Sequence, residues 1–184
     1  MKNIAKPIYR VTAGLIDFLI PNLWFTYILF KISSSNSIEM LLEGLWVFVL
    51  WLFLQFLVFT LINGYLTMKF GGSLGKLLTG LEVRDSAEKR LTFGMSVLRE
   101  IFKQIISRMF MWLGDLWLLI DKKHQTWQDM VVNSYVVTVN SKRYILGIII
   151  AIIMAGIYIF LIKLSVDNFR MNSSLYISLF SEFF

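Results

Sequence analysis

The sequence predicts an all-α membrane protein: three transmembrane helices, an amphipathic or re-entrant fourth helix, and a small cytoplasmic β-hairpin. Three observations carry that expectation. Long apolar runs fill residues 8–30, 41–62 and 144–162, each long enough for a hydrocarbon core of about 30 Å. The chain is 57% hydrophobic with a mean hydropathy of +0.68, far outside the range of soluble domains. Its Lys and Arg residues group in the loops beside the apolar runs, without an interleaved basic and aromatic patch. The net charge of +6 therefore fits cytoplasmic loops rather than a nucleic-acid partner.

The first span is the most informative. Lys2 and Lys6 precede it and Pro7 stands where a helix can begin. Arg10 and Asp17 are two helical turns apart, on one face and roughly 10 Å along the axis. That distance is too long for a direct ion pair, so each needs a partner on another segment, because an unpaired charge in hydrocarbon is costly. Pro21 has no N–H for the carbonyl of Asp17, which leaves a free carbonyl beside the carboxylate. A run holding Asp17 and Pro21, with no small-residue cleavage site after it, reads as a retained span and not a signal peptide.

The second span carries Glu43 at its entrance and Gln55 well inside, the latter suited to an interhelical hydrogen bond. Thr60, Asn63 and Thr67 follow at spacings of three and four, a polar stripe near the far end. Gly71, Gly72 and Gly75 around Ser73 suggest a phosphate loop, but the Walker spacing and a preceding strand are absent. The better reading is a short interfacial helix over 74–79, then a β element over 80–93 with strand 80–84 and return strand 91–93.

Residues 96–120 place apolar side chains at helical spacing, with Arg99, Glu100, Lys103, Gln104 and Arg108 on the other side. The first half reads as a basic amphipathic helix lying in the interface, and the second half is too short to span. The positive-charge rule places the N-terminus in the cytoplasm. It puts Lys122, Lys123, Lys142 and Arg143 on that side only if 96–120 does not cross. Residues 135–139 have strand character. In the last span Gly147, Ala151 and Ala155 form a small-residue stripe that admits a close helix. Three spans are few for a transport pathway, so a homo-oligomer or a membrane partner protein is expected in the lipid bilayer.

Composition narrows the chemistry. The absence of cysteine removes disulfides, thiol catalysis and Cys-ligated zinc, and His124 alone cannot build a histidine metal centre. No nucleophile and base pair can be argued, so the expectation is a non-enzyme without cofactor or metal.

Three segments in this order resemble the RDD family of small, mostly bacterial membrane proteins. They are Arg10 through Asp17; the Gly-x-x-x-Gly-Lys-x-x-x-Gly-Leu-x-Val stretch from Gly71 to Val83; and Asp121 to Asp129 with the Val-rich strand after it. The resemblance covers residues 9–139 and implies a membrane domain over 1–143, with 144–184 as an additional helix and tail. The signature Arg, Asp and Asp of the family fall on Arg10, Asp17 and Asp129. Members commonly have His before the last Asp, where this chain has Gln128. The resemblance implies ion movement, sodium/proton exchange being associated with some members.

Two readings of Asp17 stand side by side. In one it is a protonatable carboxylate for which Na+ and H+ compete, with its freed carbonyl, Gln55 or Thr60 as oxygen ligands and Arg10 tuning it from the interface. In the other it is structural, held by Arg99, Lys103 or Arg108. Arg10 is expected to snorkel toward the interface, and Asp129 to cap a helix or tie its loop to Lys76 or Arg99. The leading function is a transport-like role at the cell membrane, most concretely monovalent cation/proton exchange. The alternative is a non-catalytic accessory or protective membrane protein that binds a partner through its basic loops.

Overall fold

The computed structural model describes residues 3–35, 37–107 and 113–181. Helix α1 (Pro7–Ser33) runs unbroken through Pro21, and the side-chain amide of Asn22 donates to the carbonyl of Phe18 at 2.6 Å. Helix α2 (Ile38–Phe70) leaves Trp46 68% and Phe53 76% exposed, with a belt of Leu, Val and Phe around them. A soluble protein does not expose such a continuous apolar surface; lipid accepts it. The stripe of Thr60, Asn63 and Thr67 is buried on the opposite side.

Gly71 ends α2 at a φ of +92°, where a side chain would be strained, and its carbonyl accepts from Val83 N at 2.6 Å. A one-and-a-half-turn helix α3 (Leu74–Leu78) leads into strand β1 (Leu81–Asp85). Helix α4 (Phe93–Phe102) continues into a π-helical turn (Lys103–Ser107). Beyond it lie α5 (Leu113–Leu116), a 3-10 turn (Trp117–Leu119), α6 (Trp127–Val131), strand β2 (Ser134–Thr138), α7 (Arg143–Met171) and α8 (Ser173–Ser181). Among the described residues, three helices, α1, α2 and α7, are long and apolar enough to cross a membrane.

The chain forms two compact units. In the first, residues 1–17 and 55–151, β1 pairs antiparallel with β2, Val83 opposite Val136. The expected hairpin over 80–93 is therefore corrected in its pairing. The turn after β1 does close, Asp85 N donating to Lys89 O at 2.9 Å, but the chain then leaves the sheet. Leu91 drops into the core and Phe93 opens α4, while Val136 and Val132 supply the apolar match for Leu81 and Val83. Residues 3–5 cover the free edge of β2: Ala5 N donates to Val136 O, and Asn3 O accepts from Thr138 N, both at 2.9 Å. Ala5 and Ala13 complete this core, and Tyr9, packed against it, stacks on Tyr144 at 3.9 Å. Gly147 receives Thr79, whose Cγ2 stands 2.5 Å from where a Cβ would be, so the small-residue stripe begins by seating this chain's own α3 end.

In the second unit, residues 18–54 and 152–184, Phe25 stacks on Trp51 at 5.0 Å, and Gly44 lets Ile32 approach. Asn168, Asn172 and Tyr176 tie the last two helices to Ser33 and Ser34 by hydrogen bonds of 2.9–3.1 Å.

The segment 96–120, expected as one amphipathic or re-entrant helix, consists among the described residues of α4, its π-helical turn, α5 and the 3-10 turn. The polarity expected of an interfacial helix is reversed. Ser96, Arg99, Glu100 and Gln104 are buried, while Phe93, Met95, Leu98 and Ile105 are exposed. Arg99, Lys103 and Gln104 turn inward because the carboxylates and the Thr60 hydroxyl that pair with them lie inside.

Candidate functional site

Asp17 is buried on α1, and each of its oxygens accepts a hydrogen bond. Oδ2 accepts from Ser73 Oγ at 2.5 Å and Oδ1 from Gly75 N at 2.8 Å. Ser73 stands at the N-cap of α3, but its hydroxyl donates to Asp17 instead of capping the helix. Gly75 is required by contact: a Cβ there would fall onto the carbonyl of Ala13 and within 3.0 Å of Asp17 Oδ1. Two ammonium groups face Oδ2, Lys103 Nζ at 3.5 Å and Lys76 Nζ at 3.8 Å. Lys76 also donates to Ser73 Oγ at 3.1 Å.

A second carboxylate, Asp129 on α6, is held differently. Its Oδ1 accepts from Arg99 Nε at 3.0 Å and Nη2 at 2.8 Å, and its Oδ2 pairs with Arg10. Oδ2 also accepts from Thr126 Oγ1 at 2.8 Å and Thr126 N at 3.2 Å, which closes the first turn of α6. Arg10 donates further to the carbonyl of His124. Arg99 Nη1 reaches Glu100 at 3.0 Å, and Glu100 in turn faces Lys103 at 3.9 Å. The two sites are thus one network of four cations (Arg10, Lys76, Arg99, Lys103) and three carboxylates (Asp17, Glu100, Asp129). All are buried except Lys103, whose side chain is 21% exposed.

Burial raises the proton affinity of Asp129, but the guanidiniums of Arg10 and Arg99 outweigh it and hold the carboxyl well below the usual carboxylate range. The sign for Asp129 follows from linkage. A carboxyl depressed in the folded state contributes stability above its unfolded value, near pH 4, and loses it only as pH falls below that. We expect the stability gap between wild type and Asp129→Asn, read by denaturation in detergent, to stay constant from pH 8 to pH 5 and to shrink below pH 4. A gap that closes by pH 6 contradicts the assignment.

Of the residues singled out from sequence, the fold joins Arg10, Asp17, Arg99 and Asp129. Arg10 does not snorkel: it is buried, because Asp129 and the His124 carbonyl neutralise and bond its guanidinium within the protein. Thr60 accepts from Gln104 Nε2 at 2.7 Å, apart from Asp17, and Gln55 is half-buried with no hydrogen bond among the described residues. Arg108 lies outside the described residues. Gln128, at the position where His is common, donates to Asp115 at 2.6 Å. Lys103 stands at Asp17, as one of its expected partners, while Lys76, expected at Asp129, faces Asp17 instead; Ser73 and Glu100 were missed as site members. Arg99 and Lys103, four apart on one helical face with Glu100 between them, were the available signal.

The family model described as the RDD family matches residues 4–133, which contain the whole network. No curated protein and no solved structure matches the chain.

Proposed function

Since the chain belongs to the RDD family, a family of membrane proteins, we propose that it has a transport-like role, exchanging a monovalent cation for a proton at Asp17. One observation supports this above others: the network contains one locked carboxylate and one loosely countered one. Asp129 is gripped by two arginines, whose planar guanidiniums pair with both of its oxygens. Asp17 instead faces two lysines at 3.5 and 3.8 Å, beyond hydrogen-bond contact, and an ammonium can give up its proton. A Na+ ion arriving at Asp17 displaces an ammonium. Lys103 then loses one of the two anions that face its ammonium, and a proton leaves as the cation binds. Charge balances, and one carboxylate couples the two ions. In this reading the protein is not an enzyme, sits in the cell membrane with a cytoplasmic N-terminus, and works as an oligomer or with a membrane partner.

The test is direct. Purified protein in liposomes carrying a pH gradient should dissipate that gradient when Na+ is added, and not when the impermeant cation N-methylglucamine replaces it. Absence of Na+-dependent flux from a protein shown to be folded removes the proposal.

A second reading has its own support. Both Asp17 oxygens already accept short hydrogen bonds, so the network also makes sense as a clamp in a non-catalytic accessory protein. Under it the exposed Lys122, Lys123, Lys142 and Arg143 are the partner-binding surface, and flux is absent.

A further inference from the structure

We propose that α4 and its π-helical turn form a re-entrant segment immersed in the membrane, its apolar face against lipid acyl chains and its charged face inside the protein. This goes beyond the exchange reading and holds whether or not that reading does.

Three contacts fix the direction of the segment along α2. Arg90 Nη1 donates to the carbonyl of Lys69 at 2.7 Å, Val97 packs on Gly64, and Gln104 Nε2 donates to Thr60 Oγ1 at 2.7 Å. The segment therefore runs antiparallel to α2, from the level of Lys69 to that of Thr60, nine residues or about 13 Å away. Residues 44–68 of α2 carry no charge, so this path leads from the charged end into the apolar body of the helix. An independent ruler agrees. Lys103, beside Gln104, pairs with Asp17, which lies ten residues into α1, about 15 Å from its start.

The distribution of side chains identifies the surroundings. An interfacial helix turns its charges to water and its apolar face downward or inward. Here Arg99 and Glu100 are each 1% exposed, while Met95 is 40% and Ile105 42% exposed, as Leu61 and Ile62 of α2 are exposed too. The outward face of α4 thus continues the lipid-facing belt of a membrane-length helix, and hydrocarbon is the occupant that both surfaces share. The π-helical turn widens the backbone at the deep end, where Lys103 and Gln104 must reach two different helices. The chain afterwards is back at the shallow level. The His124 carbonyl and Asp129 meet Arg10, seven residues or about 10 Å nearer the start of α1 than Asp17. Both flanks of the segment, Glu88 and Lys122, then lie on one side of the membrane.

The chain has no cysteine, so single substitutions report cleanly. Ile105→Cys, Leu98→Cys, Glu88→Cys and Lys122→Cys in the full-length protein would each be labelled with bimane and reconstituted. Chain-brominated phosphatidylcholine should quench the label at 98 and 105 several-fold more than aqueous iodide does, with the reverse order at 88 and 122. An impermeant maleimide should reach 88 and 122 from the same face in oriented vesicles. Iodide-dominated quenching at both 98 and 105 overturns the proposal in favour of a water-facing helix. Reaction of 88 and 122 from opposite faces overturns it in favour of a crossing helix. The two labelled apolar positions are independent, and a folded sample is recognised by monodisperse elution, so one poorly behaved variant does not block the result.

Discussion

Replacing Arg99 by alanine destabilises the fold by about 3–5 kcal/mol, the cost of leaving a buried carboxylate without its cation. Arg99 makes three charge-assisted hydrogen bonds, two to Asp129 Oδ1 and one to Glu100 Oε1, at 2.8–3.0 Å. Both acceptors are buried, so water does not replace what the guanidinium provided. Arg10 still neutralises Asp129, and Lys103 still faces Glu100 at 3.9 Å, which places the expected loss nearer the lower end of the range. Arg99→Lys keeps the charge but not the fork that serves two carboxylates at once, and should fall between wild type and Arg99→Ala. Denaturant titration in detergent micelles, followed by far-UV circular dichroism, gives both values. If both variants unfold within about 0.5 kcal/mol of wild type, the network does not hold this unit together.

Asp17→Asn should reduce Na+-driven proton flux to that of empty liposomes while costing less stability than Arg99→Ala. The amide preserves the size of the side chain and an acceptor for Gly75 N, so the approach of α3 to α1 survives. What disappears is the charge: Lys103 and Lys76 lose their shared counterion, and no carboxylate remains at which Na+ can displace an ammonium. Lys103 retains Glu100, which limits the structural damage. The contrast between flux and stability decides between the two functional readings. A variant that loses flux and keeps its fold supports exchange at Asp17. Retention of wild-type flux in Asp17→Asn excludes Asp17 as the coupling site. A silent wild type, with Asp17→Asn merely less stable, leaves the clamp.

Much of this was legible one segment at a time. Asp17 stands out because a carboxylate in an apolar run has no local partner, and Arg10, the nearest cation on the same helix, is two turns away. The short helix after the glycines that follow Phe70, and Asp129 as a helix cap in its loop, were also readable. What could not be read was the matching. Asp17 finds Ser73 at a sequence separation of 56, and Arg10 finds Asp129 at 119, and nothing in spacing selects those partners over other Lys, Arg and Ser residues. Lys103 and Arg99 sit one turn apart on one helical face yet serve different carboxylates.

Hydropathy and charge add up locally along a helix, so the membrane-length helices and the polar residues that interrupt them can be read from the residues alone. The pairing of β1 with β2 instead of residues 91–93, and the inward turn of the charges of α4, come from tertiary contacts. An amphipathic pattern gives the angle between two faces and says nothing about which face meets protein. Here the buried carboxylates of Asp17 and Asp129, brought in from α1 and α6, make the charged face the inner one.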